Sequence, residues 1–282
     1  MPVVPFLSTI ASLSGTADVW FVDIWGVIHN GVKPYAAAVT ACVNFRASGG
    51  TVVLVSNSPR PRDGVLAQLT AIGVDPATYD DVITSGDVSR RLIAALPSRE
   101  IRHIGPERDR VLFDGLDVTR VSAEAADAVV CTGLFDDEVE TAEDYGGELA
   151  ALQARDLVMI CANPDLTVER DGRIIYCAGA IAAAYAELGG RVLTAGKPHR
   201  PIYESAMDIV ARLRGAPVER SRVLAIGDGA LTDIAGAASF GIRSVFVASG
   251  VNVRRGETVV DAALRLFPDA STAPVAVMTA LA

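Results

Sequence analysis

The chain has 282 residues, half of them apolar and 21% charged, which suffices for a sizeable buried core and excludes a disordered chain, a collagen-like repeat or a small disulfide scaffold. Its formal net charge is −9 and its isoelectric point is near 4.9. That balance argues against a binder of phosphate backbones, whose affinity rests on clustered Lys and Arg, so no nucleic-acid partner is expected.

The N-terminal residues show no basic region followed by an apolar run and a cleavage site. No apolar stretch reaches the roughly 20 residues that a membrane helix needs. The expectation is a cytoplasmic protein with no membrane partner. Val19-Trp-Phe-Val-Asp23 reads as a buried strand ending in an acid. A helix is expected over about 34–48, with Pro34 in its first turn and Gly49-Gly50 as its stop. Thr51-Val-Val-Leu-Val-Ser56 is a second strand, and 61–73 a second helix.

Residues 86–190 read as an insertion with its own α/β elements. Asp127-Ala-Val-Val-Cys131 and Leu157-Val-Met-Ile-Cys161 are strands, 141–155 is an amphipathic helix, and Asp171-Gly172 turns a hairpin between 166–170 and 173–176. The strand–helix alternation then resumes with a helix over 199–214, Val223-Leu-Ala-Ile-Gly-Asp228, a helix over 230–240, and Ser244-Val-Phe-Val-Ala248. The stretch 256–282 reads as a helix, a Pro-Asp turn and a short apolar tail. Such alternation predicts an α/β fold, a doubly wound parallel sheet. Residues 1–85 plus 191–282 form its discontinuous core domain, and 86–190 form the inserted α/β domain. Cys42, Cys131, Cys161 and Cys177 sit among apolar residues without a CxxC pair, so they read as reduced, buried thiols.

Three of the four core strands end in polar residues: Asp23, Ser56-Asn57 and Asp228. Ligands of an open parallel sheet bind beyond the carboxyl ends of its strands, so these residues should meet in space. Asp233 opens the next helix. Acids converging with a hydroxyl make an oxygen-donor site for Mg²⁺. Lys197 is one of only two lysines in the chain, in Ala195-Gly-Lys-Pro-His199 ahead of a helix. A lysine beside such a cluster can hold a phosphoryl group and neutralise its charge.

These residues resemble the four motifs of the haloacid dehalogenase (HAD) superfamily, in the family's order: Asp23-Ile-Trp-Gly-Val27, Val55-Ser56-Asn57, Gly196-Lys197-Pro198 and Gly227-Asp228…Asp233. The insertion between the second and third motifs resembles the α/β cap of the class IIA branch, as do Asn163-Pro164-Asp165 and Cys177-Ala-Gly179-Ala180. The resemblance implies a Rossmann-like core with a cap domain and a Mg²⁺-dependent hydrolase of small-molecule phosphate monoesters. Asp23 would be the nucleophile, forming an aspartyl-phosphate. Mg²⁺ would be held by Asp23, the Trp25 backbone carbonyl and Asp228, with Asp233 in support. Ser56 and Asn57 would hydrogen-bond the phosphoryl oxygens, and Lys197 would pair with phosphate and Asp23. Asn163 and Asp165 of the cap would meet substrate. A homodimer, common in that branch, could form through exposed apolar surface on the cap.

The chain departs from the family at Trp25, where its phosphatases usually carry a second Asp that protonates the leaving oxygen. Losing a general acid–base costs about 10²–10⁴ in rate. A substrate with an acidic leaving group would need little protonation. His29, placed with the substrate-binding residues, and His199 are the other proton sources the sequence offers. The alternative is a phospho-ligand-binding protein on the same scaffold without useful turnover. Dehalogenation, needing neither metal nor second Asp, fits Asp228 and Asp233 less well.

Overall fold

The computed structural model describes residues 4–170, 173–248, 252–254, 256–269 and 271–282. Thirteen strands occur among them: β1 (Val19–Val22), β2 (Thr51–Ser56), β3 (Asp81–Thr84), β4 (Glu100–Ile104), β5 (Thr119–Arg120), β6 (Ala128–Cys131), β7 (Val158–Cys161), β8 (Thr167–Arg170), β9 (Arg173–Tyr176), β10 (Arg191–Thr194), β11 (Val223–Gly227), β12 (Arg243–Val247) and β13 (Ala276–Met278). The chain divides into two compact units. One comprises Met1–Ser56, Leu66–Ile83 and Lys197–Ala282; the other comprises Asn57–Val65 and Thr84–Gly196.

The first unit is built on a six-stranded sheet of order β13-β12-β11-β1-β2-β3. The pairings of β1 with β2 and β11, of β11 with β12, and of β12 with β13 are all parallel. β1, β2 and β11 are buried along their whole length. Their near-continuous apolar runs have this cause: helices on both faces leave no side of a central strand for water. The chain steps from β1 through β2 to β3 on one side, then returns on the other side of β1 as β11. The order therefore reverses beside β1, and the carboxyl ends of β1, β2 and β11 border the crevice such a reversal opens.

The second unit holds a five-stranded sheet of order β10-β7-β6-β4-β5, parallel throughout, and the antiparallel pair β8-β9. Alternation along its strands sends side chains to two cores. Val129, Cys131, Met159 and Cys161 pack with Leu149, Leu152, Ile181 and Tyr185 on one face. Ala128, Val130 and Ile160 pack with Ile93, Ile101 and Leu112 on the other. All four cysteines are free and buried.

Several expected elements differ. The apolar tail is a strand, β13, because Ala276–Met278 finds an open edge at β12. The helix expected over 141–155 is a 3₁₀ turn, Ala142–Tyr145, leading into a helix at Gly146–Ala154. The capping box of Thr141 and Asp144 starts that turn, and Gly146-Gly147 weakens helical continuity there. The helix expected from Pro34 begins at Ala36, with Tyr35 extended ahead of it. Asp171-Gly172 lies outside the described residues. Strands β3, β4 and β10 are too mixed in polarity to stand out as apolar runs.

Candidate active site

Asp23 stands one residue beyond β1, its N–H donating 2.8 Å to the Ile226 carbonyl, so the ladder with β11 continues to the acid itself. The register aligns Val22 with Leu54 and with Ile226. Ser56 and Asp228 therefore lie two residues past that level on the strands flanking Asp23, at the same sheet edge. Ser56 ends β2 and is buried.

After Asp228 the chain makes a widened turn, Ala230–Ile234, with π-type bonding, before the helix Ala235–Phe240. The N–H groups of Asp233 and Ile234 both donate to the Gly229 carbonyl, at 2.9 and 3.1 Å. The turn brings Asp233 back onto its own start, where Gly229 N–H donates 3.1 Å to Asp233 Oδ2. Wide turns of this kind occur mostly at functional sites. Asp23, Asp228 and Asp233 each offer a carboxylate oxygen, and these oxygens lie within 4.8 Å of one another.

Lys197 reaches this group from ahead of the helix Arg200–Arg214. Its Nζ donates to Asp23 Oδ1 at 2.5 Å and to Asp233 Oδ1 at 2.8 Å, and the residue is only 3% exposed. Burial alone would lower its pKa. The carboxylates of Asp23 and Asp233 outweigh that and hold the ammonium above its ordinary value, so it is charged throughout the physiological range. Asp233 thus spends one oxygen on Lys197 and the other on Gly229 N–H. Asp228 is crowded from the other side by Gly26, a glycine at φ +85° on which a Cβ would collide with the Asp228 carboxylate.

The donor set suits a hard divalent cation, since all of the clustered ligand atoms are carboxylate oxygens. Formal charge agrees. Three carboxylates against one ammonium leave the cluster a formal charge of −2.

The remaining candidate residues are placed as follows. Trp25 is 38% exposed and carries no carboxyl, as the sequence requires. His29 is 2% exposed, and its Nδ1 accepts 2.9 Å from Gly31 N–H, which fixes the loop after Trp25. Burial lowers its pKa to about 4, so it is neutral at pH 7. Burial also lowers the pKa of His199. Asn57, Asn163 and Asp165 belong to the second unit and bond to one another there. Asn57 Nδ2 donates 2.8 Å to Asp165 Oδ1, and Asp165 N–H donates 3.1 Å to Asn163 Oδ1. Gly26 and the wide turn at Ala230–Ile234 were not singled out from sequence. The Asp-x-x-Gly spacing was the one local hint of the former.

Residues 20–119 match a family model described as haloacid dehalogenase-like hydrolase, and residues 194–271 match one described as HAD-hydrolase-like. A hydrolase of the haloacid dehalogenase-like family from Brucella suis 1330 is 48% identical, with 98% of this chain and 100% of that one covered and a TM-score of 0.88. The chain belongs to the haloacid dehalogenase-like hydrolases. It is also 28% identical over 246 residues to D-glycerol 3-phosphate phosphatase of Mycobacterium tuberculosis, covering 86% of this chain but 65% of the length of that protein. A structure of glycerol phosphate phosphatase from Mycobacterium tuberculosis in complex with magnesium shares the fold, at 24% identity and TM-score 0.69 over 96% of this chain and 77% of that one. Among the described residues, no helix is long and apolar enough to cross a membrane.

Proposed function

We propose that the protein is a Mg²⁺-dependent phosphatase that cleaves small-molecule phosphate monoesters through an aspartyl-phosphate. The observation that carries this reading is the single ammonium of Lys197 shared between Asp23 and Asp233, with Asp228 alongside. A carboxylate needs a neighbouring positive charge to approach an anionic ester, and a fixed ammonium supplies it without reorganisation.

An Asp23 carboxylate oxygen attacks phosphorus as the P–O bond to the ester oxygen breaks. The ester oxygen leaves with the bonding pair, as a stable oxyanion when the leaving group is acidic and otherwise taking its proton from water. Water then attacks phosphorus, the bond to Asp23 breaks, inorganic phosphate departs and the carboxylate is restored. Asp23, the Trp25 backbone carbonyl and Asp228 would hold Mg²⁺, with Asp233 in support. Bound Mg²⁺ supplies Lewis-acid stabilisation of phosphoryl charge. Ser56 and Asn57 would hydrogen-bond the phosphoryl oxygens. The family relationship supports the hydrolytic class, and the relatives named as phosphatases support the ester. With Trp25 in place of an acid, esters with acidic leaving groups are the favoured substrates.

The test is hydrolysis of para-nitrophenyl phosphate with Mg²⁺ and with chelator, by wild type and Asp23→Asn. Wild type should turn over only with the metal, and the variant should be folded and inactive. Residual activity above about one-hundredth of wild type would refute covalent catalysis by Asp23.

A further inference from the structure

The second acid of the cluster is held from a part of the chain outside all four motifs. Asp228 lies past the end of β11, beyond the ladder that fixes the residues before it. Asn252, in the segment after β12, donates its side-chain amide to the Asp228 backbone carbonyl at 2.8 Å. A carbonyl oxygen can only accept, so the nitrogen end of the amide must face it. Asn252 is itself tied down. Its backbone carbonyl accepts 2.8 Å from Arg265, which also bonds Glu257 at 2.7 and 2.8 Å, while Glu257 accepts from Arg254 N–H at 2.9 Å. Arg265 sits in the last turn of the helix Val259–Leu266. A relay therefore runs from that helix through Arg265 and Asn252 to the backbone of Asp228. On the opposite side, the absence of a Cβ at Gly26 lets the Asp228 carboxylate lie against the chain.

We infer that Asn252 is a positioning residue for the divalent-metal site: by bonding the Asp228 carbonyl it sets the direction of the Asp228 carboxylate towards Asp23. The inference rests on the proposed reading of Asp228 as a metal ligand. Asn252 touches neither metal nor substrate. It acts on a ligand's backbone, and losing such an outer partner typically weakens metal binding by about 10–100-fold.

The test is Mg²⁺ titration calorimetry on wild type, Asn252→Leu and Asn252→Ala, with thermal unfolding in chelator as the control. Asn252→Leu keeps the number and branching of the side-chain heavy atoms and removes the donor, and Asn252→Ala removes the donor without added bulk. Both variants should bind Mg²⁺ about 10-fold more weakly, while unfolding in chelator close to the wild-type temperature. Arg265→Gln should move Mg²⁺ affinity in the same direction by less. A merely structural asparagine would lower the unfolding temperature in chelator and leave Mg²⁺ affinity unchanged, and that result overturns the inference. Wild type that binds Mg²⁺ but cleaves no ester would sink the proposed phosphatase activity and leave the role of Asn252 standing. Wild type that binds no Mg²⁺ would sink both.

Discussion

The Lys197 ammonium lies 2.5 Å from Asp23 Oδ1, although 174 residues separate the two in the chain. The second contact, 2.8 Å to Asp233 Oδ1, makes the lysine a bridge between the acid after β1 and the acid of the wide turn after β11. It neutralises part of a cluster that would otherwise repel itself. It also restrains one oxygen of Asp23, so the carboxylate is oriented before any ligand arrives.

Removing that bridge should destabilise the fold as well as the reaction. The folded-state pKa of Lys197 is raised, so its contribution is fully present below the unfolded value of about 10.4 and is lost only as pH rises through the folded value. At pH 7 it is intact. Lys197→Met leaves the acids uncompensated in a buried site, a loss of about 3–5 kcal/mol. The urea midpoint at pH 7 should fall in chelator and partly recover with Mg²⁺ or at lower pH, where carboxylates protonate. An unchanged midpoint would show that the pair contributes nothing to stability.

Trp25→Asp should widen the range of leaving groups. Trp25 lies outside the buried core, at 38% exposure. An aryl phosphate should be cleaved at a similar rate by both proteins. An alkyl sugar phosphate, whose leaving oxygen needs a proton, should be cleaved faster by the variant, by up to about 10²–10⁴-fold. Steady-state rates on the two esters decide it. Equal gains on both, or none on the alkyl ester, would mean that leaving-group protonation is not what Trp25 limits.

Acid should weaken the fold through its buried histidines. His103 shares a 2.9 Å hydrogen bond between Nε2 and Thr132 Oγ1, and burial, aided by Arg120, Arg102 and Arg110, lowers its pKa to about 4. His29 is lowered to about 4 by burial. A depressed histidine contributes stability above its unfolded pKa of about 6.5, lost as pH falls towards the folded value. Unfolding free energy should therefore decline from about pH 6.5 to pH 4. His103→Gln should flatten that slope by up to about 1.4 kcal/mol per pH unit, one proton's worth. Denaturant titrations at several pH values check this. Parallel curves for the two proteins would show that His103 is not the titrating group.

The amino-acid sequence by itself determined the α/β class, because central parallel strands are buried on both faces and appear as unbroken apolar runs such as Val19–Val22 and Thr51–Ser56. It also determined which residues sit at the carboxyl ends of those strands, since Asp23, Ser56 and Asp228 follow the runs directly. Other elements were hidden for physical reasons. Asp81–Thr84 and Arg191–Thr194 each hold only two apolar residues between polar ends, whereas the equally short Val19–Val22 is apolar throughout. Ala276–Met278 became a strand only because the edge of β12 was open to it. The histidines illustrate the same limit. Position in the sequence made His29 a proton source near Asp23, whereas tertiary burial sets its pKa to about 4 and Gly31 N–H occupies its Nδ1. Tertiary structure alone decided that Asp233 gives both oxygens to Lys197 and Gly229, and that Asn252 holds the carbonyl of Asp228. Lys197 and Asp233 lie 36 residues apart and Asn252 and Asp228 lie 24 apart, and no local pattern encodes a partner that packing supplies.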